Sequence, residues 1–244
     1  MFPTRRITLG GDVFRDEYSL SFDGTDDYVD IADNSSLNFG ASTDFTITFW
    51  VKYTGDGYMG IVSKGVGSLN GGYEIVVDAG SGKIMGRIEK ADGSSRVDVK
   101  SASEYNDGFW HHVAAVYDRS ANLTIYVDSV SDGTGDISSI GDCDATHSLD
   151  IGRQSSGNNY LNGNISDVAL YSSAFTSSQV KTIYNGREPY NHKEGVASSS
   201  LVSWWRMGDG LENHSGSTIY DMSTNSNNGT MTNMASDDFT GDTP

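Results

Sequence analysis

Apolar and polar residues alternate through much of the chain. In DFTITFWVK, residues 44–52, every second side chain from Phe45 to Val51 is apolar. A period of two predicts a strand with one buried face. The same alternation marks the segments 18–22, 72–78, 82–90, 122–128, 148–152 and 165–171. Asp-Gly and Asn-Gly pairs, which favour the positive φ of tight turns, separate many of these segments. The pattern predicts an all-β chain of short antiparallel strands.

One segment carries helical signals instead. In FTSSQVKTIYNG, residues 175–186, Thr176 can cap the start of a helix and Gln179 can complete a capping box. Gly186 follows the expected end, where a residue in the left-handed conformation is common. We therefore expect one short helix.

The charge of the chain restricts its partners. Its 244 residues include 33 acidic and 16 basic side chains, which gives a net charge of −17. Nucleic-acid binding needs a basic face, so we expect no nucleic-acid partner. No apolar run is long enough to span a membrane, and the N-terminus has no apolar stretch typical of a signal peptide. We therefore expect neither a membrane partner nor a signal peptide. Cys143 is the single cysteine, so no intrachain disulfide can form.

Several segments, taken in order, resemble one family. They are SLSFDGTDDYVDI at 19–31, FTITFWVK at 45–52, WHHVAAVYD at 110–118, LTIYVD at 123–128, LDIG at 149–152 and LNGNISDVALYSSAFTSSQVKTIYN at 161–185. Together they resemble the laminin-G-like, concanavalin A-like jelly roll common in bacterial and phage proteins. The resemblance covers about residues 18–234 and implies a two-sheet antiparallel jelly-roll sandwich with one short helix. It says less about function, because this fold hosts lectins, enzymes, adhesion modules and virion parts.

The adjacent histidines His111 and His112 raise the question of a metal or catalytic pair. The resemblance places them in a strand that enters the sandwich. Successive side chains of a strand point to opposite faces, so the two cannot bind one metal ion together. We expect both to have structural roles.

The order of the segments departs from the family. The block LVSWWRMGDG, which usually precedes SLSFDG, follows it here. We expect an N-terminal arm at 1–17, a sandwich at 18–235 and a C-terminal tail at 236–244. The sandwich comprises a main block at 18–186, a connector at 187–200 and a permuted strand block at 201–235. The connector could return the last block to its own sheet or deliver it to a neighbouring subunit.

A loop in the permuted block predicts a calcium site. In DMSTNSNNG, residues 221–229, oxygen-bearing side chains alternate, as suits a hard cation. The candidate ligands of the loop are Asp221, Ser223, Asn225 and Asn227. The resemblance implies one calcium where such a loop meets another acidic strand end, for which Asp23, Asp167 and Asp209 are the candidates. The alternative is a polar turn that leads into the next strand.

A second loop, GRQSSGNNYLNGN at 152–164, predicts a carbohydrate site. Sugar sites combine an aromatic ring with planar polar groups. Here Tyr160 supplies the ring, and Asn158, Asn159 and Asn162 supply the amides. The alternative is that tyrosine and asparagine are simply abundant in this chain.

The sequence does not indicate an enzyme. Glucanases of this fold resemble each other in an E-x-D-x-x-E strand, whose carboxylates flank the scissile bond. The nearest segment here, EKAD at 89–92, lacks the second glutamate. We therefore expect no catalytic function.

Two functions remain open. The first is a structural protein of a tailed-bacteriophage virion, in the capsid decoration, tail or fibre, present in many copies or as a homo-oligomer. Its arm, with Arg5 and Arg6, would bind other virion proteins, and its sandwich would contact host or environmental glycans. A virion protein needs no signal peptide. The second is an extracellular or bacterial cell-surface module that binds carbohydrate with calcium.

Overall fold

The computed structural model describes residues 14–208 and 214–244, which form two antiparallel sheets that pack face to face. This confirms the two-sheet sandwich with one short helix. The strands are β1 (Ser19–Asp23), β2 (Tyr28–Ile31), β3 (Phe45–Tyr53), β4 (Met59–Gly65), β5 (Gly72–Asp78), β6 (Lys83–Glu89), β7 (Arg96–Lys100), β8 (His111–Tyr117), β9 (Asn122–Val127), β10 (Val130–Asp136), β11 (Leu149–Ile151), β12 (Asn162–Tyr171), β13 (Leu201–Trp205), β14 (His214–Ser215), β15 (Thr218–Ile219), β16 (Gly229–Thr232) and β17 (Phe239–Thr240).

The first sheet has eight strands in the order β10-β9-β8-β3-β12-β1-β17, and β13 also pairs with β12. The second has nine strands in the order β14-β15-β16-β2-β11-β4-β5-β6-β7. The core lies between the two sheets. Three rings stack at its centre: Phe45 lies 4.2 Å from Phe39 and 4.1 Å from Tyr117, measured between ring centroids.

The helix α1 (Ser177–Tyr184) confirms the capping prediction. The Thr176 hydroxyl accepts a hydrogen bond from the Gln179 backbone, and the Gln179 side chain accepts one from the Thr176 backbone. Asn185, one residue before Gly186, takes the first left-handed position at the helix end. Val180 and Ile183 are buried against the outer face of the eight-stranded sheet.

The permuted block returns to its own chain. Strand β13 pairs with the second half of β12, Val168 opposite Trp205 and Leu170 opposite Ser203. The expected C-terminal tail at 236–244 differs from the structure, because β17 joins the sheet beside β1. Asp242 fixes this segment further, since its carboxylate accepts hydrogen bonds from the Trp110 indole and from Lys52. The tail is therefore part of the sandwich.

One edge of the sandwich is closed by close approach of the two sheets. Strand β10 of the first sheet lies against β7 of the second, and the Ala102 N–H donates to the Asp132 carbonyl. Gly133 allows the approach: a Cβ at this position would lie 2.3 Å from the carbonyl oxygen of Lys100. None of the helices in the described parts of the chain is long and apolar enough to cross a membrane.

Candidate functional site

A row of polar residues crosses the outer face of the nine-stranded sheet. Each member lies opposite the next on a neighbouring strand. In order from β15 to β7 they are Thr218, Thr230, Asp30, Asp150, Ser63, Glu74, Arg87 and Asp98. Val29 and Ile31 point into the core, so the period of two places Asp30 and Tyr28 on the outer face.

The loop between β11 and β12, residues 152–161, covers the middle of this row. Gln154 donates from its amide to Glu74 at 3.1 Å. The Ser155 backbone donates to the Ser63 hydroxyl, and the Ser155 hydroxyl donates to the Ser63 carbonyl. Ser63 and Glu74 are fully buried beneath the loop.

Glu74 and Arg87 form the centre of a buried polar network beside the loop. Arg87 donates to Glu74 and to the Tyr58 hydroxyl, and it donates two parallel hydrogen bonds to Asp98 at 2.7 and 2.9 Å. Glu74 also accepts from Tyr58. A buried carboxylate with this many donors is held in place.

The open part of the face lies beside the covering loop, around two tyrosines. The rings of Tyr28 and Tyr160 are 6.3 Å apart between centroids and inclined by 42°. The Arg153 guanidinium lies 3.5 Å from the centroid of the Tyr28 ring and donates to Asp150 at 2.9 Å. A backbone bridge between Arg153 and Tyr160 fixes the two ends of the loop. Tyr28 and Tyr160 are both half-buried. We call Tyr28, Asp30, Arg153 and Tyr160 the tyrosine site.

The predicted carbohydrate residues separate in the structure. Tyr160 joins the tyrosine site, and Asn158 is exposed in the same loop. Asn159 has a structural role, because its amide donates to Gln154 at 2.6 Å and its carbonyl accepts from Gly60. Asn162 lies opposite Asp23 at the start of β12. Sequence reasoning missed Tyr28 and Arg153, although the alternation in DDYVDI already places Tyr28 and Asp30 on one face.

Three carboxylates meet near the tyrosine site, in the turn that leads to Tyr28. One oxygen from each of Asp23, Asp26 and Asp27 lies within 4.8 Å of the others. Burial raises the pKa of Asp27 to about 6, while hydrogen bonds led by the Thr25 backbone N–H lower the pKa of Asp23. Backbone N–H groups of the turn donate to one oxygen of Asp23 and one of Asp27, so the remaining carboxylate oxygens are those that could bind a divalent cation such as calcium. Of the predicted ligands, only Asp23 belongs to this trio.

The predicted calcium loop at 221–229 fits calcium poorly. The Asp221 carboxylate accepts four hydrogen bonds, from the backbone of Trp204, Ser223 and Asn227 and from the Ser223 hydroxyl. These donors occupy the lone pairs that a cation would need. Asn225 donates its amide to the Val202 carbonyl.

Asn227 binds the neighbouring segments through its amide N–H groups, which donate to the hydroxyls of Ser36 and Ser203. Its side-chain oxygen is buried without a hydrogen-bond partner. One free amide oxygen beside a saturated carboxylate is too small a donor set for calcium. The loop therefore has the geometry of the alternative, a polar turn that leads into β16.

Asp167 lies in a different, buried network. It accepts hydrogen bonds from the Trp204 indole and from His192, at 2.9 Å for His192 Nε2, and the other nitrogen of His192 contacts the Tyr171 hydroxyl. All four side chains are buried. His192 belongs to the connector, so the network attaches the connector to the outer face of the eight-stranded sheet. Arg5, Arg6 and Asp209 lie outside the described residues.

The two adjacent histidines lie on opposite faces of β8. His111 lies between Asp128 and Asp107, at 2.9 and 3.2 Å from their oxygens. His112 is buried against the rings of Trp50 and Tyr184. They share no partner atom, which agrees with structural roles for both.

The comparisons with known proteins agree with this architecture. The family model of the concanavalin A-like lectin/glucanases superfamily, Laminin_G_3, matches residues 23–181, more than half of the chain. The chain belongs to this superfamily. No curated protein matches the chain.

Solved structures share the fold at low identity. A candidate carbohydrate-binding protein from Bacteroides ovatus is 18% identical over 93% of this chain and 60% of its own, with a TM-score of 0.68. The receptor-binding domain of botulinum neurotoxin C/D mosaic serotype is 14% identical over 72% of this chain and 45% of its own, with a TM-score of 0.55. The binding domain of Paraclostridial Mosquitocidal Protein 1 is 17% identical over 65% of this chain and 41% of its own, with a TM-score of 0.54. The matched part spans less than two thirds of each of these chains.

Proposed function

We propose that this domain binds carbohydrate at the tyrosine site. The observation that carries the proposal is the pair of neighbouring, half-buried tyrosines, Tyr28 and Tyr160, on a polar sheet face. The C–H groups of a sugar ring pack on aromatic faces, while its hydroxyls bond to carboxylates and threonines. Asp30 on β2 and Thr230 and Thr232 on β16 surround the rings with such groups. The family and the structural neighbour from Bacteroides ovatus support this class of ligand.

A glycan array with the purified protein tests the proposal. We expect selective binding to one group of glycans, and we expect Tyr160→Ala to remove it. The matched control is Tyr105→Ala, which removes a tyrosine that bonds to Asp132 away from the site. Binding that survives Tyr160→Ala but not Tyr105→Ala would contradict the proposal.

We also propose that the domain is not catalytic. Of the carboxylates in the outer-face row, Glu74 bonds to Arg87 and Gln154, Asp98 to Arg87 and Asp150 to Arg153, which leaves Asp30 as the one without such a bond to the described residues. A glycosidase needs one carboxyl group that can give up its proton and a second that acts on the sugar. The proposal requires that the bound glycan be recovered intact after prolonged incubation. Released reducing ends would contradict it.

Calcium dependence is part of the proposal, at the trio Asp23, Asp26 and Asp27. A divalent cation there would lie near Tyr28 and could order the turn that carries it. We expect chelator to weaken glycan binding and Asp26→Asn to reduce the calcium affinity. Calcium binding unchanged by Asp26→Asn would exclude the trio as its site.

The placement of the domain in a tailed-phage virion, as one of many copies, is a further part of the proposal. Its support is the arginine pair Arg5 and Arg6 on a strongly acidic chain, which suits docking to an acidic partner. Phe14 packs on Trp204 and Arg206, so a deletion that tests the arm should keep this residue. Deleting residues 2–13 should abolish incorporation into particles. Gradient sedimentation measures this as loss of the protein from the particle fractions. Normal incorporation would favour the alternative, a carbohydrate-binding module at the surface of a bacterium.

A further inference from the structure

The tyrosine site contains an electrostatic arrangement that is unfavourable for folding. Asp30 on β2 lies directly opposite Asp150 on β11, both on the outer face of the sheet. Like charges at opposed positions of antiparallel strands destabilise the pair. Asp150 is buried, and burial raises its pKa, with the charge of Asp30 contributing in the same direction.

Only one of these two carboxylates is neutralised. Arg153 donates to Asp150 at 2.9 Å, whereas the Asp30 carboxylate makes no hydrogen bond or ion pair with the described residues. Its other cross-strand neighbour, Thr230, is uncharged. Asp30 is half-buried, so its charge is less screened than that of a fully exposed side chain. The site therefore retains one uncompensated negative charge beside the two rings.

The same site already accommodates a cation on an aromatic face. The Arg153 guanidinium lies over the Tyr28 ring at 3.5 Å from the centroid, so a positive charge is favourable at this position. The Arg153 side chain also hydrogen-bonds to the Tyr160 side chain, but no cation of the described residues lies over the Tyr160 ring, which is 6.3 Å from the Tyr28 ring. A second positive group between Tyr160 and Asp30 would gain the ring face and the unpaired carboxylate together.

We propose that the tyrosine site recognises a sugar that carries a free amino group, with Asp30 accepting a hydrogen bond from the ammonium. This inference rests on the proposed carbohydrate function and specifies the class of sugar. An ammonium suits the site better than a carboxylate, because an acidic sugar would meet the charge of Asp30. N-acetylation removes the positive charge and keeps the sugar ring, so it separates the charge from the shape of the ligand.

The test compares three soluble probes by titration calorimetry: a glucosamine tetramer, its fully N-acetylated form and a glucose tetramer with the same β-1,4 linkage. We expect the glucosamine tetramer to bind about tenfold tighter than the other two, as one charge-assisted hydrogen bond allows. Asp30→Asn should abolish that preference. Because it removes a like-charge pair, it should also raise the midpoint of urea unfolding.

Glu104→Gln is the matched control, since it removes an exposed carboxylate from the loop between β7 and β8. If the overall negative charge attracts the amine, the affinity for the glucosamine tetramer should fall equally in both variants. If Asp30 makes a specific contact, that affinity should fall only in Asp30→Asn. Equal affinity for all three probes in the unmodified protein would overturn the inference and leave the carbohydrate function standing. Binding of none of the glycans on the array would overturn both. A less stable Asp30→Asn would show a structural carboxylate and would also overturn the inference.

Discussion

His111 and His112, neighbours in sequence, have opposite electrostatic environments. Burial opposes a charge on His111, but the hydrogen bonds that its ring donates to Asp128 and Asp107 raise its pKa overall, because they stabilise the imidazolium. Burial lowers the pKa of His112 to about 4, because no carboxylate bonds to its ring. The alternation of a strand is sufficient to predict that they do not act together. The sequence cannot show which histidine bonds to carboxylates, because Asp128 lies in the turn after β9 and contacts β8 only in the folded chain.

His112 should make the fold sensitive to acid. The folded protein keeps this side chain neutral, whereas the unfolded chain binds a proton below about pH 6.5. The contribution of neutral His112 to the free energy of unfolding is therefore fully present above that pH and is lost as the pH falls towards 4. Urea unfolding at about pH 7 and about pH 5 should show a loss of about 2 kcal/mol from this residue.

The variant His112→Gln isolates that contribution, because the other titrating groups remain. The loss of stability between the two pH values should be smaller in His112→Gln than in the unmodified protein. His147→Gln, at a half-buried histidine elsewhere, is the control and should retain the full loss. An identical pH dependence in all three proteins would refute the assignment to His112.

At the scale of elements, the strands and the helix could be predicted, but irregularities within them could not. Asp167 illustrates the difference. The ladder of β12 with β3 shifts its register between Ser166 and Ala169, and Asp167 has a positive φ of 56°. This bulge aims Asp167 at Trp204 and His192. A period of two contains no sign of a bulge, so the sequence suggested a calcium ligand where the structure has a buried acceptor.

The covering loop at 152–161 shows a second limit of sequence reasoning. Its composition predicted a polar loop with an exposed aromatic ring, and the structure has Tyr160 half-buried in that loop. Its position over Ser63 and Glu74 depends on contacts between residues about ninety positions apart, as Ser155 shows with Ser63. Such contacts have no local signature, which is why Tyr28 and Arg153 were missed.

The closed edge of the sandwich should depend on Gly133. An alanine Cβ would lie 2.3 Å from the Lys100 carbonyl oxygen, so β10 would have to move away from β7. We expect Gly133→Ala to lower the free energy of unfolding by about 1–3 kcal/mol, the usual cost of overpacking. Gly57→Ala, whose Cβ would meet only Met59 at 4.0 Å, is the control for the loss of a glycine. Equal stability of the two variants would show that the edge is not closely packed.

For the whole molecule, the sequence predicts the architecture well because the alternation is consistent along the chain and the core it defines is continuous. The permuted block is compatible with that architecture, since β13 lies beside β12 in continuation of β1. The sequence predicts the function less well, because a sandwich has several surfaces that can bind a ligand. The tyrosine site is distinguished by a combination of rings, an arginine and an uncompensated carboxylate.

The central claim is that carbohydrate binds at the tyrosine site. A crystal structure of the protein with the tightest-binding glycan from the array tests it most directly. The account predicts a sugar ring against Tyr28 and Tyr160, with a polar group of the sugar at Asp30. A glycan bound elsewhere, for example in the open depression of about 400 Å³ lined by Lys193, Leu201 and Met222, would contradict it.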